Sequence, residues 1–231
     1  MLLVSVHLPK TAGQTFGRIL RTHYAERFRL VKEDRPLHDM PGRRKFRALL
    51  NLATLSGGAL DEIDCIHGHF LPVKFLGAAA IRPVQFVTWL RDPVQRLVSH
   101  YQYWKRTAPI SPEFLLHHRM LAENWSLERF TLGEEMHNFY SQFFWRFPRQ
   151  RLAFVGIVEH FDDDLAWFCQ SFLGHQVQSQ THNVNPAKSV RETYSLDPHL
   201  ERDIRAFHAR DVELYEWAVS SRAGRGGGTS R

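Results

Sequence analysis

The chain has 231 residues, 43% hydrophobic and 13% aromatic, enough to bury a core and to form one compact α/β domain over residues 1–219 ahead of a disordered tail, residues 220–231. Its formal net charge is +6, but Arg222, Arg225 and Arg231 belong to the Gly/Ser tail, and removing those three leaves +3 on residues 1–221, a small excess that, with no nucleic-acid-binding motif, excludes nucleic acid as the expected partner. No apolar run approaches a membrane span, no basic leader precedes Leu2, and Cys65 and Cys169 lie in apolar stretches; neither a membrane span nor a signal peptide is visible, two buried thiols are expected rather than a disulfide framework, and a reducing, cytoplasmic compartment is expected.

In chain order, Leu2–Val6, Ile63–His67, Val84–Leu90 and Leu152–Ile157 read as buried strands alternating with helical patterns, which implies a parallel sheet covered by helices. After the first strand, Phe16, Ile19, Leu20, Tyr24 and Phe28 recur at helical spacing. After the third, Val94, Leu97, Val98, Tyr101 and Trp104 do the same, with Asp92 as N-cap and Pro93 at the first helical position, where a missing N–H costs nothing. A further helix opens at Phe161-Asp162-Asp163-Asp164 and ends at Gly174, and a last one runs from Asp197-Pro198 to about Val219. Residues 29–59, with Pro36, Pro41 and the basic cluster Arg43, Arg44, Lys45 and Arg47, read as a mobile insertion outside the core. Residues 105–124 show no clean period.

Three segments carry chemistry. The first strand runs into His7-Leu8-Pro9-Lys10-Thr11-Ala12-Gly13-Gln14-Thr15-Phe16, a turn that offers backbone N–H groups, a helix dipole and the Lys10 ammonium to an anion. It is not a Walker A loop, because Lys10 precedes Gly13 and no second Gly stands before a Lys-Ser/Thr pair. In Thr88–Tyr101, Arg91 ends the third strand and Ser99 stands two turns into the following helix, so guanidinium and hydroxyl can share a second phosphate. In Cys65-Ile66-His67-Gly68-His69-Phe70, residues two apart face the same side of an extended segment, so His67 and His69 can point together and one can take a proton.

Here the sequence resembles a known family. Pro9-Lys10-Thr11-Ala12-Gly13 with Thr15-Phe16 is similar to the 5'-phosphosulfate loop of the sulfotransferases, and Arg91-Asp92-Pro93 with Arg96, Ser99 and Tyr101 resembles their 3'-phosphate motif. Both stand in the family's order. The resemblance implies a P-loop-NTPase-like central parallel sheet flanked by helices, 3'-phosphoadenosine 5'-phosphosulfate (PAPS) as donor, PAP as product and no metal. It implies Lys10, Thr11, Ala12, Gly13, Gln14, Thr15, Phe16, Arg91 and Ser99 as the nucleotide-binding set. Cys65–Phe70 is similar to the His-Gly-His of the uronosyl 2-O-sulfotransferases of heparan and dermatan sulfate, which implies His69 as general base, His67 as a substrate or supporting group, Lys10 on the leaving phosphate and a carbohydrate hydroxyl as acceptor. Phe154–Phe161 and Leu214-Tyr215 resemble further family segments, and Asn183-Val184-Asn185 falls where the family has a polar loop over the nucleotide. Residues 29–60 and 105–135 carry no resemblance.

Other readings stay open at this level. His67 and His69 also suit a structural pair or half a zinc site, though no Cys or carboxylate stands at ligand spacing. Arg91 could bridge Asp92, and Ser99 could be a plain surface hydroxyl. Arg43, Arg44, Lys45, Lys74, Lys105 and Arg106 suit an anionic glycan or a solvated face. His117, His118 and His182 read as surface or loop residues, and Phe139, Tyr140, Phe143, Phe144, Trp145 and Phe147 as core, with Asn138 beside them as a group that reaches the acceptor. The rival functions are a P-loop-like kinase, a non-catalytic nucleotide or glycan binder, and a basic nucleic-acid-binding protein.

Overall fold

The computed structural model describes residues 1–33, 37, 41–54, 60–175 and 193–224. Five strands, β1 (Leu2–Val6), β2 (Phe28–Lys32), β3 (Cys65–His69), β4 (Val84–Leu90) and β5 (Leu152–Ile157), form one all-parallel sheet in the order β2-β3-β1-β4-β5. This is an α/β sheet flanked by helices. β1 lies at its centre, Val4 pairing with Ile66 on one side and with Phe86 on the other. Covered on both faces, it is apolar on both, with Leu2, Val4 and Val6 in one core and Leu3 in another.

The helices are α1 (Gly13–Tyr24), α2 (Pro41–Thr54), α3 (Pro93–Arg106), α4 (Leu115–Ala122), α5 (Leu127–Thr131), α6 (Phe139–Phe143), α7 (Phe161–Phe168), α8 (Pro198–Phe207) and α9 (Ala209–Ala223). On one face of the sheet, Phe139, Tyr140 and Phe143 of α6 and Leu214 and Ala218 of α9 pack on Val4, Val6 and Ile66. On the other, Phe16 and Leu20 of α1 and Phe168 of α7 pack on Leu3, Cys65 and Val87. A third cluster joins Leu97, Val98 and Trp104 of α3 to Met120, Phe130 and Ile204 of α4, α5 and α8. The starts of α3 and α8 follow the capping rules: Asp92 accepts from the Gln95 amide, and Asp197 from those of His199 and Leu200, each with Pro at the next position. No helix among the described residues is long and apolar enough to cross a membrane.

Some elements differ from the expectation. The strand expected at Ile63–His67 lies at Cys65–His69, because the Ile63 amide closes a turn onto the Leu60 carbonyl while β1 and β2 pair both sides of the chain as far as Gly68. The first helix ends at Tyr24, and Phe28 belongs to strand β2, from which it reaches the same cluster as Phe16 and so continues the helical spacing by coincidence. The segment expected as an insertion holds both β2 and α2, and α2 packs on a short turn at Pro72–Phe75. The last helix is two, broken at His208, and α9 runs to Ala223, four residues beyond Val219 into the expected tail; residues 225–231 of that tail lie outside the described residues.

Candidate active site

The chain leaves β1 toward β3 and β2 on one side, while β4 and β5 lie on the other. The carboxyl ends of β1 and β4 therefore border the crevice where ligands bind in open parallel sheets. The two loops singled out from the sequence, after β1 and after β4, both open there.

The first loop is tightly wound. Lys10 (φ 70°) and Ala12 (φ 59°) both take the left-handed conformation without being glycine, strain that surrounding contacts must hold. Thr11 is buried and its hydroxyl donates to the Leu8 carbonyl (2.8 Å), the His7 amide donates to the Gly68 carbonyl (2.7 Å), and the Phe16 amide donates to the Ala12 carbonyl (3.2 Å). Gly13 permits the turn, because a Cβ there would stand 1.9 Å from Cδ2 of His7. α1 begins with no side-chain cap and no acidic residue in its first turn, which leaves the positive end of its dipole uncompensated. Gln14 and Thr15 are exposed there. Phe16 is not: its ring is core, packed edge-on against Trp89 and Phe168, and its amide donates to the Ala12 carbonyl.

Lys10 extends toward α3, its ammonium 4.3 Å from the Tyr103 ring centre. Burial, then Arg106, then Arg91 lower its pKa from the ordinary lysine value to about 8. Arg91 is anchored through its backbone: its amide donates to the Tyr140 hydroxyl (3.2 Å), which donates to the Arg91 carbonyl (2.8 Å). Its guanidinium lies 5.8 Å from the Tyr194 ring. It does not bridge Asp92, whose carboxylate caps α3 and pairs with Arg205 at 3.0 Å. Among the described residues no carboxylate pairs with Lys10, Arg91 or Arg106. Gln95, Ser99, Tyr103 and Arg106 follow at helical intervals along one face of α3. The Ser99 hydroxyl makes no hydrogen bond among the described residues, and the Gln95 side-chain amide holds the Tyr194 backbone at both its amide (2.6 Å) and its carbonyl (3.0 Å).

Three histidines line the neighbouring strand ends. His7 stacks on His69 at 4.3 Å and on His67 at 5.2 Å. His67 is buried beneath α1, bonded to the Ser5 hydroxyl (2.9 Å) and to the Gly13 backbone; burial, then the His69 charge, lower its pKa to about 4. Burial, then His69 and His67, hold His7 well below the ordinary histidine range. Both rings are neutral at neutral pH. His69 is half-buried and its Nδ1 donates to the His7 carbonyl (2.6 Å), which fixes the tautomer with Nε2 as the basic nitrogen. Among the described residues no group of three or more His, Cys, Asp or Glu could hold a metal ion.

The structure thus places Lys10 within electrostatic reach of Arg91 and Arg106 and ties His69 to the same loop through the His7 carbonyl, with Gln14 and Thr15 exposed at the start of α1 and Ser99 on the face of α3 that carries Tyr103. It moves others away. Arg44 and Lys74 are buried, Lys74 paired with Glu33 at 2.7 Å, and do not face a glycan. His117 is buried against Trp104, donating to its carbonyl (2.8 Å), rather than on the surface. Asn138 accepts from the Arg210 and Asp211 amides at the start of α9 and is not turned to an acceptor. His182, Asn183 and Asn185 lie outside the described residues. Sequence reasoning missed His7, Tyr103, Gln95 and Tyr194; the helical period counted from Ser99 could have found Gln95 and Tyr103.

No protein-family model matches the chain, and no curated protein matches it. Among solved structures, a sulfotransferase from Alicyclobacillus acidocaldarius aligns at 16% identity and a TM-score of 0.45, over 91% of this chain and 92% of that one. Mouse sulfotransferase SULT7A1, complexed with PAP, aligns at 14% identity and a TM-score of 0.36, over 76% of this chain and 58% of that one.

Proposed function

We propose that the chain is a sulfotransferase that moves a sulfuryl group from PAPS to an acceptor hydroxyl on a carbohydrate. The observation that carries this reading is the convergence of Lys10 and Arg91, neither paired with a carboxylate among the described residues, on the crevice between β1 and β4. Cations left without partners call for an anion, and two loops on either side of one crevice suit a donor with phosphates at both ends of a nucleoside. In this reading Lys10 and the amides that open α1 hold the 5'-phosphosulfate, and Arg91 with Ser99 holds the 3'-phosphate.

His69 is the general base. His67 is buried and, with its pKa near 4, too weak a base at neutral pH; it supports the loop by bonding the Gly13 backbone. The acceptor proton passes to Nε2 of His69 as the acceptor oxygen bonds sulfur and the bond from sulfur to the bridging phosphate oxygen breaks, releasing PAP. Lys10 stabilises the charge that develops on that phosphate. A carbohydrate acceptor rests on the His-Gly-His resemblance and on the exposed cations Arg43, Lys105 and Arg106. The free buried thiols Cys65 and Cys169 suit a reducing compartment.

Incubation with radiolabelled PAPS and a panel of glycans, phenols and sterols tests the reading. Label is expected on a glycan without added metal. Binding of PAP with no transfer to any acceptor would instead identify a non-catalytic binder, and turnover of ATP with magnesium would identify a kinase.

A further inference from the structure

Helix α2 has two contrasting faces. Arg44 and Ala48 are buried on one, Ala48 against Leu71 and Val73. On the other, Phe46, Leu49 and Leu50 are 64%, 36% and 52% exposed. Spaced at three and four residues, they form one apolar stripe on an element already anchored from behind. The helix carries Arg43, Arg44, Lys45 and Arg47 and no acidic residue. Arg43 is exposed, the Lys45 ammonium lies 5.2 Å over the Trp145 ring, and the exposed Arg146 lies 5.1 Å over the same ring. Trp145 packs against the Ala48 cluster on the anchored side of the helix, and Lys45 reaches it from the flank.

We propose that this face of α2 docks the protein on an anionic phospholipid bilayer, with Phe46, Leu49 and Leu50 entering the headgroup boundary and Arg43, Lys45 and Arg146 meeting lipid phosphates. A bilayer surface is the partner that uses both of these features, an apolar stripe and a cationic flank. A solvated polyanion leaves the three apolar side chains in water, and an apolar protein groove has no use for the cations. The docking face lies near the carboxyl end of β3, because the Pro72–Phe75 turn on which α2 packs begins three residues after His69. The proposal does not depend on the reaction assigned to the crevice.

Co-sedimentation of the full chain with phosphatidylcholine vesicles, with and without phosphatidylserine, tests it. The chain is expected to sediment with the serine-lipid vesicles and to be released by salt. Arg43→Gln with Lys45→Gln is expected to lower that partitioning about 25-fold, about fivefold per basic residue, with little change on pure phosphatidylcholine. Phe46→Ser, Leu49→Ser and Leu50→Ser together are expected to lower it on the order of a hundredfold on both. Thermal melts check that the variants fold; where the triple variant melts early, the charge pair decides. Three results overturn the proposal: vesicle binding indifferent to phosphatidylserine or to both variants, retention on heparin without vesicle binding, or a dimer in ultracentrifugation that the triple variant dissolves while vesicles bind neither form.

Discussion

Tyr140→Phe removes one oxygen and nothing else from the core, and it addresses the residue that positions Arg91. The ring is fully buried beneath the crevice, and burial pushes its phenol far above the ordinary tyrosine range, so the hydroxyl stays protonated at every working pH. That hydroxyl accepts from the Arg91 amide and donates to the Arg91 carbonyl, closing both backbone groups of the residue that follows β4. Phenylalanine keeps the ring and its contact with the Arg96 guanidinium but leaves both groups unmet, a loss of about 2 kcal/mol at about 1 kcal/mol per bond. Asp92 stays fixed by Glu159 and Arg205, so the loop loosens at Arg91 rather than unfolding. If the backbone then holds its present course about one time in ten, PAP affinity falls about tenfold. Urea unfolding and isothermal calorimetry with PAP measure the two effects on one preparation. A variant with lowered stability and unchanged PAP affinity would refute the argument that Tyr140 positions Arg91 for the donor.

Other outcomes follow from the same geometry. His69→Ala is expected to lower turnover ~10² to 10⁴-fold while PAP affinity holds, as steady-state kinetics and calorimetry can separate. With the Lys10 pKa lowered to about 8, the free protein loses the ammonium as pH rises through that value, so PAP affinity is expected to fall above pH 8 and not below it. Arg106→Ala removes the larger of the two repelling charges, raises the Lys10 pKa and moves that fall to higher pH. Gly17→Ala would place a methyl 2.5 Å from Nε2 of His67, a ring held by Ser5 and Gly13; urea unfolding is expected to show a loss of about 1–3 kcal/mol.

The residues that carry the proposed chemistry were legible because they sit where local rules are strict. Arg-Asp-Pro after β4 announces a helix start from capping and proline geometry, the Lys-Thr-Ala-Gly turn after β1 is followed by apolar residues at helical spacing, and β1, β4 and β5 have the bounds their apolar runs indicate. Strand β2 was not legible. Arg29 and Lys32 make it read as polar, and what makes it a strand is pairing with β3, whose partner residues lie dozens of positions away. His7 was hidden for a similar reason. A single histidine after an apolar run has no pattern, and its role arises only when β3 lies beside β1 and places His67 and His69 against its ring. Lys74 shows the converse: a lysine reads as solvated until Glu33, from another strand end, is brought to it.

The most direct measurement is calorimetric titration of the chain, of Lys10→Ala and of Arg91→Ala with PAP and with adenosine 5'-monophosphate, which lacks the 3'-phosphate. The unaltered chain is expected to prefer PAP strongly, Arg91→Ala to lose that preference while still binding the monophosphate, and Lys10→Ala to weaken both. Equal affinity of the unaltered chain for the two nucleotides, or PAP binding that neither substitution changes, would contradict it.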